Sequence, residues 1–216
     1  MRFVGGEFYH IYNRGVEGRD IFVEPTDYQR FLNGLLAFNT KQSITLREFD
    51  YVSTTRNEQL CSLICYTLMK NHVHFVVRCL NPEDLSLFLQ KLFIGYTAYF
   101  NSKYSRVGVL FQGGSKSRHL NTDQYIGHVV DYVHLNPLDY TMPEWRAHGV
   151  TDSTAAKNEL LHYPYSSLRG FLGLEDDPAL DMIAMKEIMP NHKFILDSMI
   201  EWASGSLESS DAVWEG

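Results

Sequence analysis

The chain has 216 residues, 44% of them apolar and 21% charged, with a formal net charge of −7. That length and balance suit one globular domain with a small addition and exclude a low-complexity chain. No stretch approaches the roughly eighteen consecutive apolar residues of a membrane span, and "MRFVGGEFYHIYNRG" lacks a signal-peptide core, so a cytoplasmic protein with no membrane partner is expected.

The charge is unevenly spread. Residues 1–119 carry 14 Lys and Arg against 10 Asp and Glu, whereas residues 120–216 carry 5 against 16. A mildly basic front leaves room for a local phosphate-binding groove despite the acidic total. Cys61, Cys65 and Cys79 form no CxxC pair and are odd in number, which predicts reduced, packed thiols rather than a disulfide framework or zinc knuckle.

In chain order, "EFYHIYNRG" alternates side chains in β-forming residues and predicts a strand ending at Gly15. "TDYQRFLNGLLAF" predicts an amphipathic helix capped by Thr26 or Asp27. Residues 44–52 are weakly strand-like and the polar stretch after them is a loop. "CSLICYTLM" and "HVHFVVRCL", joined by Lys70-Asn71, predict an antiparallel hairpin. Asn81 as cap, Pro82 at the first helical position and acids at 83 and 84 open a helix reaching about Asn101, whose aromatics are core. "GVLFQGGSKSRHL" is strand-like and broken by glycine. "TDQYIGHVVDYVHLNP" predicts a helix from Thr122 or Asp123 that stops before Pro137. From about residue 140 a packed loop is expected, then one helix over 180–203 and a polar acidic tail. The order β-α-β-β-α-β-α predicts an α+β domain, a ferredoxin-like antiparallel sheet with helices packed on it.

Two short stretches carry chemistry. In "NHVHFVV" His72 and His74 point to one face of a strand and Val73 to the other, so both imidazoles can reach one divalent ion. Nine histidines in this chain give roughly 0.4 such pairs by chance, so the pair alone is equally a pair of hydrogen-bonded strand histidines. In "DYVHLNP" Tyr132 and Asn136 lie at i and i+4 on one helix face, and His134 points off it. If that helix packs beside the histidine strand, one surface holds two imidazoles, an amide and a phenol. The set suits phosphoryl transfer, with an ion polarising a phosphate oxygen and the tyrosine as nucleophile. Taken alone, in a chain of thirteen tyrosines, Tyr132 reads first as a core or hydrogen-bonded tyrosine.

"NHVHFVV" followed by a helix carrying "YVHLNP" resembles the REP-associated tyrosine transposases, relatives of the single-tyrosine HUH transposases, in which HUH stands for His-hydrophobic-His. "YHIYNRG", "YFNSKYSRVGVLFQG" and "YPYSSLRGFLG" extend the likeness, in the family's order, over about residues 5–173. The resemblance implies an HUH transposase-like domain over 1–175; the pattern after it predicts a helical extension over 176–203 and an acidic, disordered tail over 204–216. It implies that Tyr132 attacks single-stranded or hairpin DNA to form a 5′-phosphotyrosine, later resolved by strand rejoining. It implies Mg²⁺ or Mn²⁺ held by His72, His74 and Asn136, and a monomer or homodimer. Where family members often carry Gly-Arg-Phe, this chain has Gly113-Gly114-Ser115, so Arg14, Lys116 and Arg118 become the candidate DNA contacts. Two other readings remain at this stage: a catalytically inactive nucleic-acid-binding regulator, and a metal-dependent hydrolase in which the tyrosine is incidental.

Overall fold

The computed structural model describes residues 2–43 and 59–205. Its centre is a four-stranded antiparallel sheet of β1 (Phe8–Arg14), β2 (Cys61–Met69), β3 (His72–Cys79) and β4 (Lys116–Leu120), in the order β2-β3-β1-β4. The Lys70-Asn71 joint makes the β2–β3 hairpin, with Met69 opposite His72 and a register shift between Leu63 and Cys65. Helix α1 (Pro25–Ala37) follows β1 and α2 (Pro82–Lys103) follows β3, which gives the ferredoxin-like α+β arrangement.

The strand alternation sorts the core into two layers. Tyr9, Ile11, Val73, Phe75 and Val77 face α1 and α2, where Phe31, Leu35, Phe88, Leu92 and Tyr96 meet them. Cys65, Val76 and Leu120 face the other way, under α3 (Asp123–Leu135). Burying each large apolar side chain is worth about 1.5–3 kcal/mol, so each layer pins its helices firmly. All three cysteines are buried and free, as their spacing predicts.

Helices α2 and α3 start where their sequences predict: Asn81 Oδ1 accepts from Glu83 N at 2.9 Å, and Thr122 Oγ1 from Tyr125 N at 3.1 Å. Helix α1 departs from its prediction. It begins at Pro25, with Glu24 as cap, and Asp27 sits one turn inside, its Oδ2 accepting from Val23 N and Glu24 N at 2.9 and 3.1 Å.

The larger difference lies after residue 137. The expected loop holds α4 (Leu138–Thr141), α5 (Trp145–His148), α6 (Ser153–His162) and α7 (Leu168–Phe171). The single helix expected over 180–203 is two, α8 (Met182–Ile188) and α9 (Ile195–Ser204), separated across Pro190 by a 3₁₀ turn at His192–Phe194. Proline removes a backbone donor and clashes with the preceding turn, which accounts for the break. Met185, Ile195, Met199 and Ile200 join the same core as α3, so the segment 176–203 packs into one body with the sheet. The weak strand expected at 44–52 and the acidic tail fall outside the described residues. Among the described residues no helix is long and apolar enough to cross a membrane.

Candidate active site

Residues directly opposite each other in an antiparallel pair share a face. In the β1–β3 ladder Tyr12 lies opposite His74 and Arg14 opposite His72; in the β1–β4 ladder Lys116 lies opposite Tyr12 and Arg118 opposite His10. One face of the sheet therefore gathers His72 and His74 with Arg14, Lys116 and Arg118, and adds His10 and Tyr12. The cations reach across this face: Lys116 Nζ lies 5.7 Å from the centre of the Tyr12 ring, and the Arg118 guanidinium 5.5 Å from that of Tyr125.

Helix α3 crosses the same face. Ile126, Val129, Val130 and Val133 are fully or almost fully buried and anchor it, which sets the angle at which Tyr132 and Asn136 emerge one turn apart. The Tyr132 ring stands edge-on to the imidazoles, with centroids 5.8 Å from His74 and 6.3 Å from His10. Tyr132 is 7% exposed and Asn136 1%.

The local sequence fixes the asparagine. Pro137 has no N–H for the carbonyl of Val133, one turn back. Asn136 supplies the missing donor, Nδ2 giving hydrogen bonds to Tyr132 O at 2.9 Å and Val133 O at 3.3 Å. With Nδ2 so engaged, Oδ1 is the atom presented to the site. "NP" at the end of this helix thus fixes the orientation of the amide.

Both histidines of the pair are held through Nδ1. His72 Nδ1 meets Asn71 Oδ1 at 2.6 Å, so it carries the proton and leaves a lone pair on Nε2. His74 Nδ1 meets His10 Nε2 at 2.9 Å, the two rings stacked 5.1 Å apart. With the proton on His74 Nδ1, His74 too offers Nε2 as a ligand, the arrangement in which a neighbour orients a metal-binding imidazole. Burial holds His72 down to about 4, helped by the charges of Arg14 and Arg146, and holds His74 well below the ordinary imidazole range. Burial, with Arg118 nearby, holds His10 down to about 3. All three are neutral at pH 7, and a neutral imidazole is the ligand form.

Among the described residues no three His, Cys, Asp or Glu side chains are grouped to hold an ion. The donor set on this face is two imidazoles and an amide oxygen. The His72 and His74 ring centroids lie 4.9 Å apart, and Asn136 Oδ1 keeps a second lone pair beyond the hydrogen bond described next.

That hydrogen bond comes from a residue the sequence reading passed over. Arg146, on α5, donates from Nη2 to Asn136 Oδ1 at 3.1 Å and lies 5.3 Å from the Tyr132 ring centre. Its Nη1 pairs with Asp139 Oδ1, which also accepts from Trp145 Nε1 at 2.8 Å. His10 was likewise passed over as a site residue. Its signal was its strand parity with Tyr12 and Arg14; Arg146 had none, because a four-residue helix carries no periodicity.

His134 stands on the far side of α3, bonded to Ser167 Oγ at 3.0 Å and packed against Phe171. Burial drives it down to about 3. It serves the core and is removed from consideration as a base for Tyr132. Asp131, beside Tyr132 in the chain, is pushed up to about 7 by burial, and its Oδ1 has no hydrogen-bond partner among the described residues.

No protein-family model matches the sequence, and no curated protein matches it. Among solved structures, one described as a REP-associated tyrosine transposase bound to a REP hairpin superposes with a TM-score of 0.50 over 80% of this chain and 83% of its own, at 11% identity. At that identity the likeness is one of fold: this chain has the α+β architecture of that transposase.

Proposed function

We propose that the protein is a metal-dependent, transposase-like endonuclease that nicks and rejoins single-stranded or hairpin DNA through a covalent 5′-phosphotyrosine at Tyr132. The observation that carries this reading is Tyr132 standing over the sheet face that holds His72, His74, Arg14, Lys116 and Arg118, with Asn136 one turn further along its helix. The fold shared with a transposase described on a REP hairpin supports a DNA substrate.

His72 and His74 through Nε2, and Asn136 through Oδ1, would hold Mg²⁺ or Mn²⁺; two nitrogen donors suit Mn²⁺ better than the harder Mg²⁺. Bound there, the ion polarises a phosphate oxygen and stabilises the charge of the transition state. The chain's own part is orientation. The Tyr132 hydroxyl attacks phosphorus, the bond to the 3′-oxygen breaks, and the new 3′-hydroxyl returns in the rejoining step. Edge-on packing against His10 and His74 holds the phenol ring, and Arg14, Lys116 and Arg118 supply positive charge for the strand's phosphates.

The test is a denaturation-resistant adduct between the full chain and a single-stranded hairpin oligonucleotide in Mn²⁺ or Mg²⁺. Tyr132→Phe is expected to abolish the adduct while Mn²⁺ binding persists. Cleavage that survives Tyr132→Phe would convert the protein into a water-activating hydrolase. DNA binding without any adduct from the unmodified protein would make it a regulator built on the same fold.

A further inference from the structure

Arg146 is fixed from several sides at once. Asp139 pairs with its Nη1, and Trp145, whose ring centre lies 4.4 Å from the guanidinium carbon, ties that carboxylate down through Nε1. Its Nη2 reaches Asn136 and its guanidinium carbon lies 5.3 Å from the Tyr132 ring centre. Its charge is felt by both His72 and His74. The side chain nevertheless keeps 33% of its surface in solvent, and among the described residues its hydrogen-bond acceptors are Asp139 and Asn136, which leaves further N–H donors available. A purely structural clamp between α4 and α5 would be complete with Asp139 alone and would not need the cation to extend over the tyrosine.

We infer that Arg146 is the phosphate-binding arginine of this site, receiving the phosphate of the strand presented to Tyr132. The inference rests on the proposed function and adds a residue to it. A planar guanidinium matches two phosphate oxygens at once, and prior fixation by Asp139 removes most of the ordering cost of that contact. Asp139 is then a positioning residue, acting through Arg146. Lys116 and Arg118 lie out over Tyr12 and Tyr125 and follow the strand further along, whereas Arg146 meets it at the reacting tyrosine.

The experiment needs no ion. Affinity of the full chain for a hairpin oligonucleotide with a single-stranded flank is measured by fluorescence anisotropy in chelator, across a series of salt concentrations. Arg146→Gln is expected to weaken binding about tenfold and to flatten the plot of log affinity against log salt by about 0.7, the loss of one single-strand phosphate contact. Arg146→Lys keeps the positive charge, and Asp139→Asn leaves Arg146 itself charged; both are expected to keep the slope. In the unmodified protein, phenylglyoxal footprinting read by mass spectrometry is expected to show Arg146 protected by the oligonucleotide and Arg30, on α1 across the sheet, unprotected. A folded Arg146→Gln protein with the wild-type slope overturns the inference, and so does an unprotected Arg146, which decides the matter if the variant fails to fold. If the wild-type chain binds no oligonucleotide even at low salt, the proposed function falls and this inference with it. If it binds and forms the adduct while either Arg146 result is negative, only the inference falls.

Discussion

Replacing His10 by Phe tests the metal site through a residue that would not itself touch the ion. His10 is 2% exposed, stacks on His74 and lies 5.1 Å from the Tyr12 ring. Phenylalanine keeps a planar ring of similar size in that slot, but leaves the buried His74 Nδ1 without this partner, so stability is expected to fall by about 1 kcal/mol. What it removes is the Nε2 acceptor 2.9 Å from His74 Nδ1. Without it the His74 proton gains nothing by staying on Nδ1, and the tautomer protonated at Nε2, which cannot bind an ion, competes. Losing a neutral hydrogen bond costs about 1 kcal/mol, and loss of an orienting partner typically weakens metal binding 10- to 100-fold, about 1.4–2.7 kcal/mol. Mn²⁺ titration followed by electron paramagnetic resonance at pH 7.5 measures it directly. His10→Phe should weaken binding within that range, and His10→Gln, whose amide oxygen can accept in place of Nε2, should recover part of it. Wild-type Mn²⁺ affinity in a folded His10→Phe protein, alongside loss of binding in His74→Ala, would refute the orienting role.

Three further outcomes follow from buried charge. His10, His72 and His134 are held at about 3, 4 and 3, below the unfolded value near 6.5, so the unfolded chain takes up protons first and stability falls as pH drops below about 6.5. By pH 5 each is worth up to about 2 kcal/mol, and urea midpoints at pH 8, 6.5 and 5 that did not decline would contradict their neutral burial. Asp131 has the opposite sign: at about 7 when folded it is raised above its unfolded value, so its burial costs stability as pH rises from about 4 to 7. Asp131→Asn should therefore be the more stable protein at pH 8, by up to about 4 kcal/mol, with the gain gone below pH 4; equal stability at pH 8 would refute the assignment. Asp27 is wholly buried and accepts from Lys103 Nζ at 2.7 Å, Tyr104 at 2.7 Å and Tyr99 at 3.0 Å, besides capping α1. Asp27→Asn leaves Lys103 paired with Glu24 but weakens the charge-assisted hydrogen bonds at the buried carboxylate, and should cost about 1.5–3 kcal/mol, checked by thermal unfolding; a loss below about 1 kcal/mol would show the cluster to be dispensable.

What the sequence yields about this site depends on how far apart its parts lie along the chain. Tyr132 and Asn136 are one helical turn apart, and His72 and His74 one strand repeat apart, so periodicity alone pairs them. Hairpin β2–β3 and the starts of α2 and α3 were equally legible, because a two-residue joint and capping side chains act within four residues. The short helices after Pro137 were not, since four residues hold too little of a 3.6-residue period to register. His10 and Arg146 fall in the same gap. That His10 faces His74 depends on β1 lying beside β3, a pairing across 64 residues set by the packing of the whole sheet. That Arg146 faces Tyr132 depends on the chain turning back through α4, which Asp139 and Trp145 stabilise only once the helices are in place. The net charge of −7 hides a related feature: it sums over the chain, whereas Arg14, Lys116 and Arg118 converge on the one face proposed to meet a phosphate. Local spacing can name the groups that do chemistry, but the groups that hold them in tautomer, rotamer and charge come from elsewhere in the chain, and those decide whether the site works.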